Sequence, residues 1–224
     1  MAHFEIEIKS LLGEKSAAEA LTAKMAELDP STACTSKNVQ LNHYFEGGDI
    51  LALYEVTKHL FNAEQQAKFH KIAELGTDFS IRTRQRDDVV LLVVKAAIDG
   101  GTSANAVSRL EFEEEVAVPL AELDAMLIEA GYSYQAKWSR ERAEYAYKGT
   151  TVCIDKNAGY GYLAEFEKVV PHDETVDGVR AELEALMAEL GVSELPQDRL
   201  ARMFAHYNAN WAEYYGTDKT FNIE

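Results

Sequence analysis

The sequence predicts an α+β protein: a closed eight-stranded antiparallel β-barrel with helices packed on its outside. Three observations carry that expectation. Several short segments alternate charged and apolar side chains with a period of two, the mark of a strand with two unlike faces. Nearly all of them can be joined as antiparallel neighbours through short turns. Between and after them, apolar residues recur at three- and four-residue spacing, as on amphipathic helices.

The elements follow in order. Phe4 to Ser10 is the first alternating segment. Glu14 to Leu28 reads as a helix with Leu21, Met25 and Leu28 on one side. Gln40 to Glu46 is a second strand, closed by Gly47-Gly48. Leu53 to Leu75 contains no Gly or Pro and reads as an inserted helix or helix pair. Phe79 to Arg86 and Val89 to Ala97 form a hairpin around Asp87-Asp88, and Gly100 to Ser103 is a loop. Arg109 to Val118 alternates again. Pro119 then opens a helix with Leu120, Leu123 and Leu127 on one face. Ser139 to Tyr147 and Thr151 to Lys156 form a second hairpin around Lys148-Gly149. Gly159 and Gly161 precede the last strand, Tyr162 to Val169. Helices are expected over Glu174 to Leu190 and Pro196 to Tyr215. The expected organisation is a barrel over 1–170, with the 53–75 segment inserted, and C-terminal helices over 171–224 packed on it as part of the same domain.

Alternation sorts each strand's side chains onto two faces. One face collects Glu5, Glu7 and Lys9; Arg82, Arg84 and Arg86; Lys95; Arg109, Glu111 and Glu113; Arg140, Arg142 and Glu144; Asp155 beside Cys153; and Glu165 with Glu167. Any one such strand would suit a sheet with a solvated face. The set is different, because alternate positions on most strands are fully charged and few are neutral polar. The other face is Ile, Val, Leu and Phe, which the helices would cover. The core is therefore expected outside the sheet, with the charges looking into a lumen. Buried charges must be paired or bound to ligands. Mixed cations and carboxylates suit a polyphosphate with a divalent cation: Arg and Lys bind phosphate oxygens, and hard carboxylates bind Mg²⁺ or Mn²⁺.

Composition sets the limits. The chain has 224 residues and a formal charge of −16, which argues against a broad nucleic-acid surface. The 22 Lys and Arg residues can still serve a small anion if they are concentrated in one place. The longest apolar run, Val89 to Val94, is too short to cross a bilayer, and no signal peptide is visible. Two cysteines, Cys34 and Cys153, make neither a disulfide framework nor a metal cluster, so a cytoplasmic setting is expected. The six histidines show no ligand spacing and read as structural or exposed.

Glu5-Ile6-Glu7-Ile8-Lys9 resembles the ExExK motif of the CYTH superfamily, the triphosphate tunnel metalloenzymes. That superfamily includes class IV adenylyl cyclases, thiamine triphosphatases and inorganic triphosphatases. Arg82-Thr83-Arg84 followed by Lys95 resembles its RxR…K hairpin, and Arg109 to Glu113 its acidic strand. Arg140-x-Arg142-x-x-Tyr145 is similar to its (K/R)xRxxY strand. Ile154-Asp155, Gly159-Tyr160-Gly161 and Glu165-Phe166-Glu167 are similar to its closing pattern. There are departures. Asn42 stands where the family often has Asp, Val93 replaces the usual Thr before the hairpin lysine, and the 53–75 connection is long. His3-Phe4 abuts Glu5, which is not the spacing of the His-Phe pair in the cyclase branch.

The resemblance and the charge pattern together imply roles. Lys9, Arg82, Arg84, Lys95, Arg109, Arg140 and Arg142 would hold a triphosphate-containing small molecule. Glu5, Glu7, Glu111, Glu113, Asp155, Glu165 and Glu167 would bind Mg²⁺ or Mn²⁺ or position an attacking water. Glu5, Glu7, Lys9 and Arg142 form the expected catalytic set. Lys137 is an alternative to Arg140, which the spacing favours. Tyr207, Trp211, Tyr214 and Tyr215 read as helix packing, with contact to a base or thiamine ring as the alternative. The leading expectation is hydrolysis of inorganic triphosphate, a nucleoside triphosphate or thiamine triphosphate. The alternative is a class IV adenylyl cyclase, and a third is a non-catalytic polyphosphate or nucleotide sensor. A homodimer, common in the family, would need only an exposed helix face or an uncovered strand.

Overall fold

The computed structural model describes the backbone over 3–97, 109–171 and 176–224, and side chains over 6–97, 110–170 and 176–224. Eight strands form one antiparallel sheet: β1 (His3–Gly13), β2 (Ala33–Gly47), β3 (Thr77–Arg86), β4 (Val89–Ala97), β5 (Arg109–Val116), β6 (Tyr132–Tyr147), β7 (Thr150–Asn157) and β8 (Gly161–Pro171). Their order is β1-β8-β7-β6-β2-β3-β4-β5. The sheet therefore ends at β1 and β5 and is open, which corrects the closed barrel expected from the sequence. Eight two-faced strands suffice to build a barrel, but closure needs hydrogen bonds between the two end strands, and among the described residues β1 pairs with β8 and β5 with β4.

By their internal contacts the residues group into two compact units, Met1–Val39 with Ser139–Glu224, and Gln40–Trp138. In the first, α1 (Lys15–Leu28) and α5 (Val176–Leu190) cover the apolar face of β1, β7 and β8. Ile6, Ile8, Val152, Ile154, Ala164 and Phe166 meet Leu21, Met25, Leu183 and Met187 there. The buried residues recur at i, i+3 and i+7 in α1 (Ala18, Leu21, Met25) and at i, i+4 and i+8 in α5 (Val179, Leu183, Met187), which is why each presents one stripe to the sheet. Helix α6 (Gln197–Tyr214) follows. Its Tyr207 is fully buried among Tyr160, Tyr214 and the turn at Gly159, so this residue packs. A Cβ at Gly159 would stand 2.6 Å from the Tyr207 ring, and φ there is +94°, so the close approach requires glycine.

In the second unit, the 53–75 segment is a helix pair. Helix α2 (Ile50–Thr57) runs into a single 3₁₀ turn (Lys58–Leu60), and α3 (Ala63–Leu75) restarts behind a capping box. Asn62 accepts from the Gln65 backbone N–H at 3.0 Å, and the Gln65 side chain accepts from the Asn62 N–H at 2.9 Å. With α4 (Leu120–Glu129) these helices cover Phe45, Ile81, Leu92, Val94 and Phe112, the apolar face of β2 to β5. The core thus lies on the helix side of the sheet and the charges on the other, as alternation predicts.

Candidate active site

Register decides which charges meet. In the first unit, Lys9 stands opposite Glu165, and Glu7 opposite Glu167. Glu165 is opposite Cys153, and Arg142 opposite Asp155. All share the face turned away from α1 and α5. Arg142 forms a fork on Asp155, with Nε to Oδ1 and Nη2 to Oδ2 both at 2.7 Å. Arg140 adds a third bond to Oδ2 at 2.8 Å. Arg142 Nη2 also donates to Glu165, and Lys9 donates to Glu7 with Glu165 3.4 Å away.

Burial makes these pairs matter. Asp155 is 1% exposed and Glu165 8%. A buried carboxylate stripped of one cationic partner would cost roughly 3–5 kcal/mol. Burial pushes the Glu165 carboxyl up, but Lys9, Arg142 and Arg140 outweigh it and hold it well below the usual range. Burial likewise opposes the charge on Arg142, yet Asp155 and Glu165 keep it firmly protonated. Lys9 is also held protonated against its burial, by Glu165 and Glu7. Cys153, beside them, is pushed up to about 12, by burial first and by the neighbouring carboxylates, although Arg142 opposes this.

The second unit carries a cluster of its own. Asn42 faces Arg84 and Tyr44 faces Arg82 across β2 and β3. Arg84 Nε donates to Asn42 Oδ1 at 2.8 Å and Nη1 to Glu113 at 2.9 Å. Arg82 Nη1 donates to the Tyr44 hydroxyl at 2.7 Å. Its Nε is buried and has no acceptor among the described residues. Lys95 pairs with Glu111 at 2.9 Å. Val93, where the resemblance leads one to expect Thr, lies between Arg82 and Glu113 in register and is fully buried.

The expected residues are therefore placed as follows. Glu7, Lys9, Arg140, Arg142, Asp155, Glu165 and Glu167 share one face of the first unit, and Arg82, Arg84, Lys95, Glu111 and Glu113 one face of the second. The side chains of Glu5 and Arg109 lie outside the described residues. Lys137 sits 4.0 Å over the Tyr134 ring, whereas Arg140 joins Asp155. Asn42 and Tyr44 emerge as arginine partners that charge alternation did not single out, because they are neutral. Asn157, which faces Arg140 in register, was likewise not singled out; its buried Nδ2 has no acceptor among the described residues.

The donor chemistry suits a hard divalent cation. Glu7 and Glu167 stand directly opposite on one face, where like charges repel unless a cation intervenes. Among the described residues, however, no group of three or more His, Cys, Asp or Glu side chains converges on one point. Instead Glu111, Glu113, Asp155 and Glu165 each engage a Lys or Arg.

The family model for the CYTH domain matches residues 58–200. The chain belongs to the CYTH domain family, the triphosphate tunnel metalloenzymes, whose members act catalytically on phosphate-bearing substrates and often use divalent metal ions. Solved structures agree in fold. The PH1819 protein of Pyrococcus horikoshii is 19% identical, with 91% of this chain and 99% of that one covered at a TM-score of 0.58. A putative adenylate cyclase of Vibrio parahaemolyticus is 16% identical over 92% and 99% of the two chains, TM-score 0.58. A putative adenylyl cyclase of Hippeastrum is 18% identical over 91% and 96%, TM-score 0.52. No curated protein matches the chain. Among the described residues no helix is long and apolar enough to cross a membrane.

Proposed function

We propose that this chain is an enzyme that binds the triphosphate group of ATP together with Mg²⁺ or Mn²⁺ and cleaves one of its phosphoric anhydride bonds. The observation that carries the reading is Arg82. Its Nε is buried without an acceptor among the described residues, on the face that also presents Arg84 and Lys95. An unmet buried donor costs about 1–3 kcal/mol, and a phosphate oxygen would satisfy it. The cations proposed to hold the substrate are Lys9, Arg82, Arg84, Lys95, Arg109, Arg140 and Arg142.

Asp155 has both oxygens taken by Arg140 and Arg142, so it fixes the aim of two guanidinium groups. Glu5, Glu7 and Glu167, with Glu111 and Glu113, are the carboxylates proposed to hold the metal. A bound Mg²⁺ or Mn²⁺ would neutralise phosphate charge. The protein's part is positioning and electrostatic stabilisation, as expected for chemistry at phosphorus.

Between two reactions, the name of the Vibrio structure favours a cyclase. The ribose 3′-hydroxyl of ATP would attack the α-phosphorus, giving cyclic AMP and pyrophosphate. The second reading is hydrolysis of a triphosphate, favoured because the Hippeastrum protein is described as having a dominant triphosphatase activity. Incubation with ATP, inorganic triphosphate and thiamine triphosphate, each with Mg²⁺ or Mn²⁺, separates the two. Cyclic AMP with pyrophosphate is the expected outcome. Release of orthophosphate without cyclic AMP would replace the cyclase by the hydrolase. Tight binding with no turnover would remove both in favour of a sensor.

A further inference from the structure

A second polar cluster lies on the helix side of β2 and β3, turned away from the arginines. Its centre is Asp124 of α4, which is 4% exposed. Asp124 Oδ1 accepts from the Thr83 hydroxyl at 2.6 Å, and Oδ2 accepts from the Tyr134 hydroxyl at 2.8 Å. His43 Nδ1 stands 2.7 Å from the same Oδ2. Burial alone would raise the Asp124 carboxyl. The bonds from His43, Thr83 and Tyr134 outweigh it and hold the group below its usual range, so it is an anion and the imidazole N–H donates.

Register gives this cluster a place in the site. His43 and Thr83 are direct partners across β2 and β3. The pairs on either side of them are Asn42 with Arg84 and Tyr44 with Arg82. One rung is therefore clamped to α4 by a single carboxylate, and the two flanking rungs present the arginines on the opposite face. A slip by one residue would send every side chain of the strand to the wrong face. The rest of this helix-covered face is packed with apolar groups such as Phe45, Ile81, Leu92 and Phe112. Apolar residues in place of the cluster would pack as well or better. What they lack is direction, and a low-dielectric hydrogen-bonded anion supplies it.

We infer that Asp124 is a positioning residue: through His43 and Thr83 it fixes the β2–β3 rungs that aim Arg82 and Arg84 at the phosphate groups. The inference rests on reading these two arginines as phosphate-binding. It is tested with Asp124→Asn, which keeps the shape and removes one acceptor, and with Thr83→Val, a milder change should the first fail to fold. Two readouts are needed, on variants whose cooperative melting shows them folded. The first is the side-chain Nε–H NMR signal of Arg84, assigned with Arg84→Lys. The second is the affinity for inorganic triphosphate with Mg²⁺, by calorimetry. The expected result is a shifted or broadened Arg84 signal with affinity about tenfold lower, the equivalent of 1.4 kcal/mol. A folded variant with wild-type Arg84 signal and wild-type affinity overturns the inference. If the wild type binds no triphosphate, the functional reading fails, and an unchanged or a disturbed Arg84 signal still decides the positioning.

Discussion

Glu165 illustrates how the charged residues of this sheet depend on one another. Its folded carboxyl is held below the ordinary value by Lys9, Arg142 and Arg140, against its burial. A depressed carboxyl contributes stability that is present above the unfolded value, about 4.3 for Glu, and is lost as pH falls toward the folded value. The melting temperature should therefore hold between about pH 7 and 5 and fall steeply below about pH 4. Glu165→Gln should flatten that acid limb, as followed by circular dichroism. Cys153 gives a second prediction. With its thiol raised to about 12 and its side chain buried, it should resist iodoacetamide at pH 8, whereas the exposed Cys34 should react. Mass spectrometry of the two cysteine peptides decides this, and equal labelling of the folded protein would contradict the burial of Cys153. At this scale the charged members of the cluster were legible, because each sits at an alternate position of a two-faced strand. Asn42 stood out only as a departure from the family pattern, and Tyr44 and Asn157 were not legible, because a neutral side chain reveals its partner only when the register is known.

At the scale of elements, most helices and strands follow from periodicity, and the differences have local causes. The 53–75 segment has no Gly or Pro to divide it, yet Asn62 and Gln65 form a capping box and restart the helix. The Asn-x-x-Gln spacing was readable as a helix start. Asn62→Ala should cost about 1 kcal/mol, measured as a shift in the urea midpoint at unchanged slope. Strand β6 begins at Tyr132, seven residues before Ser139, where the second hairpin was expected to begin. Tyr132, Tyr134, Ala136 and Trp138 do alternate with polar residues, but the stretch follows directly on α4 and the turn at Gly131. Strand β2 is likewise longer than Gln40 to Glu46, since its first residues, Ala33 to Asn38, are mostly exposed and carry little hydrophobic pattern. Asp124 was not singled out for a related reason. A carboxylate at a buried helix position reads as an error of periodicity until its three donors from β2, β3 and β6 are known.

For the whole molecule, alternation told which face was charged and which was covered by helices, and the family resemblance ran in the right order from residue 5 to residue 167. It did not tell how the sheet ends. Strand edges are joined by backbone groups that are the same in every residue, so side-chain patterning carries no record of whether β1 and β5 meet. The proposed triphosphate binding therefore rests on the charges themselves. A chain of formal charge −16 places Arg82, Arg84 and Lys95 on one sheet face, with Arg82 Nε buried and lacking an acceptor among the described residues. The most direct test is calorimetric titration of the wild type and of Arg82→Lys with inorganic triphosphate in the presence of Mg²⁺. Phosphate contact by Arg82 predicts saturable binding by the wild type and affinity lower by about tenfold or more in Arg82→Lys, since lysine cannot replace a fixed guanidinium fork. No binding by the wild type, or equal binding by both proteins, would contradict it.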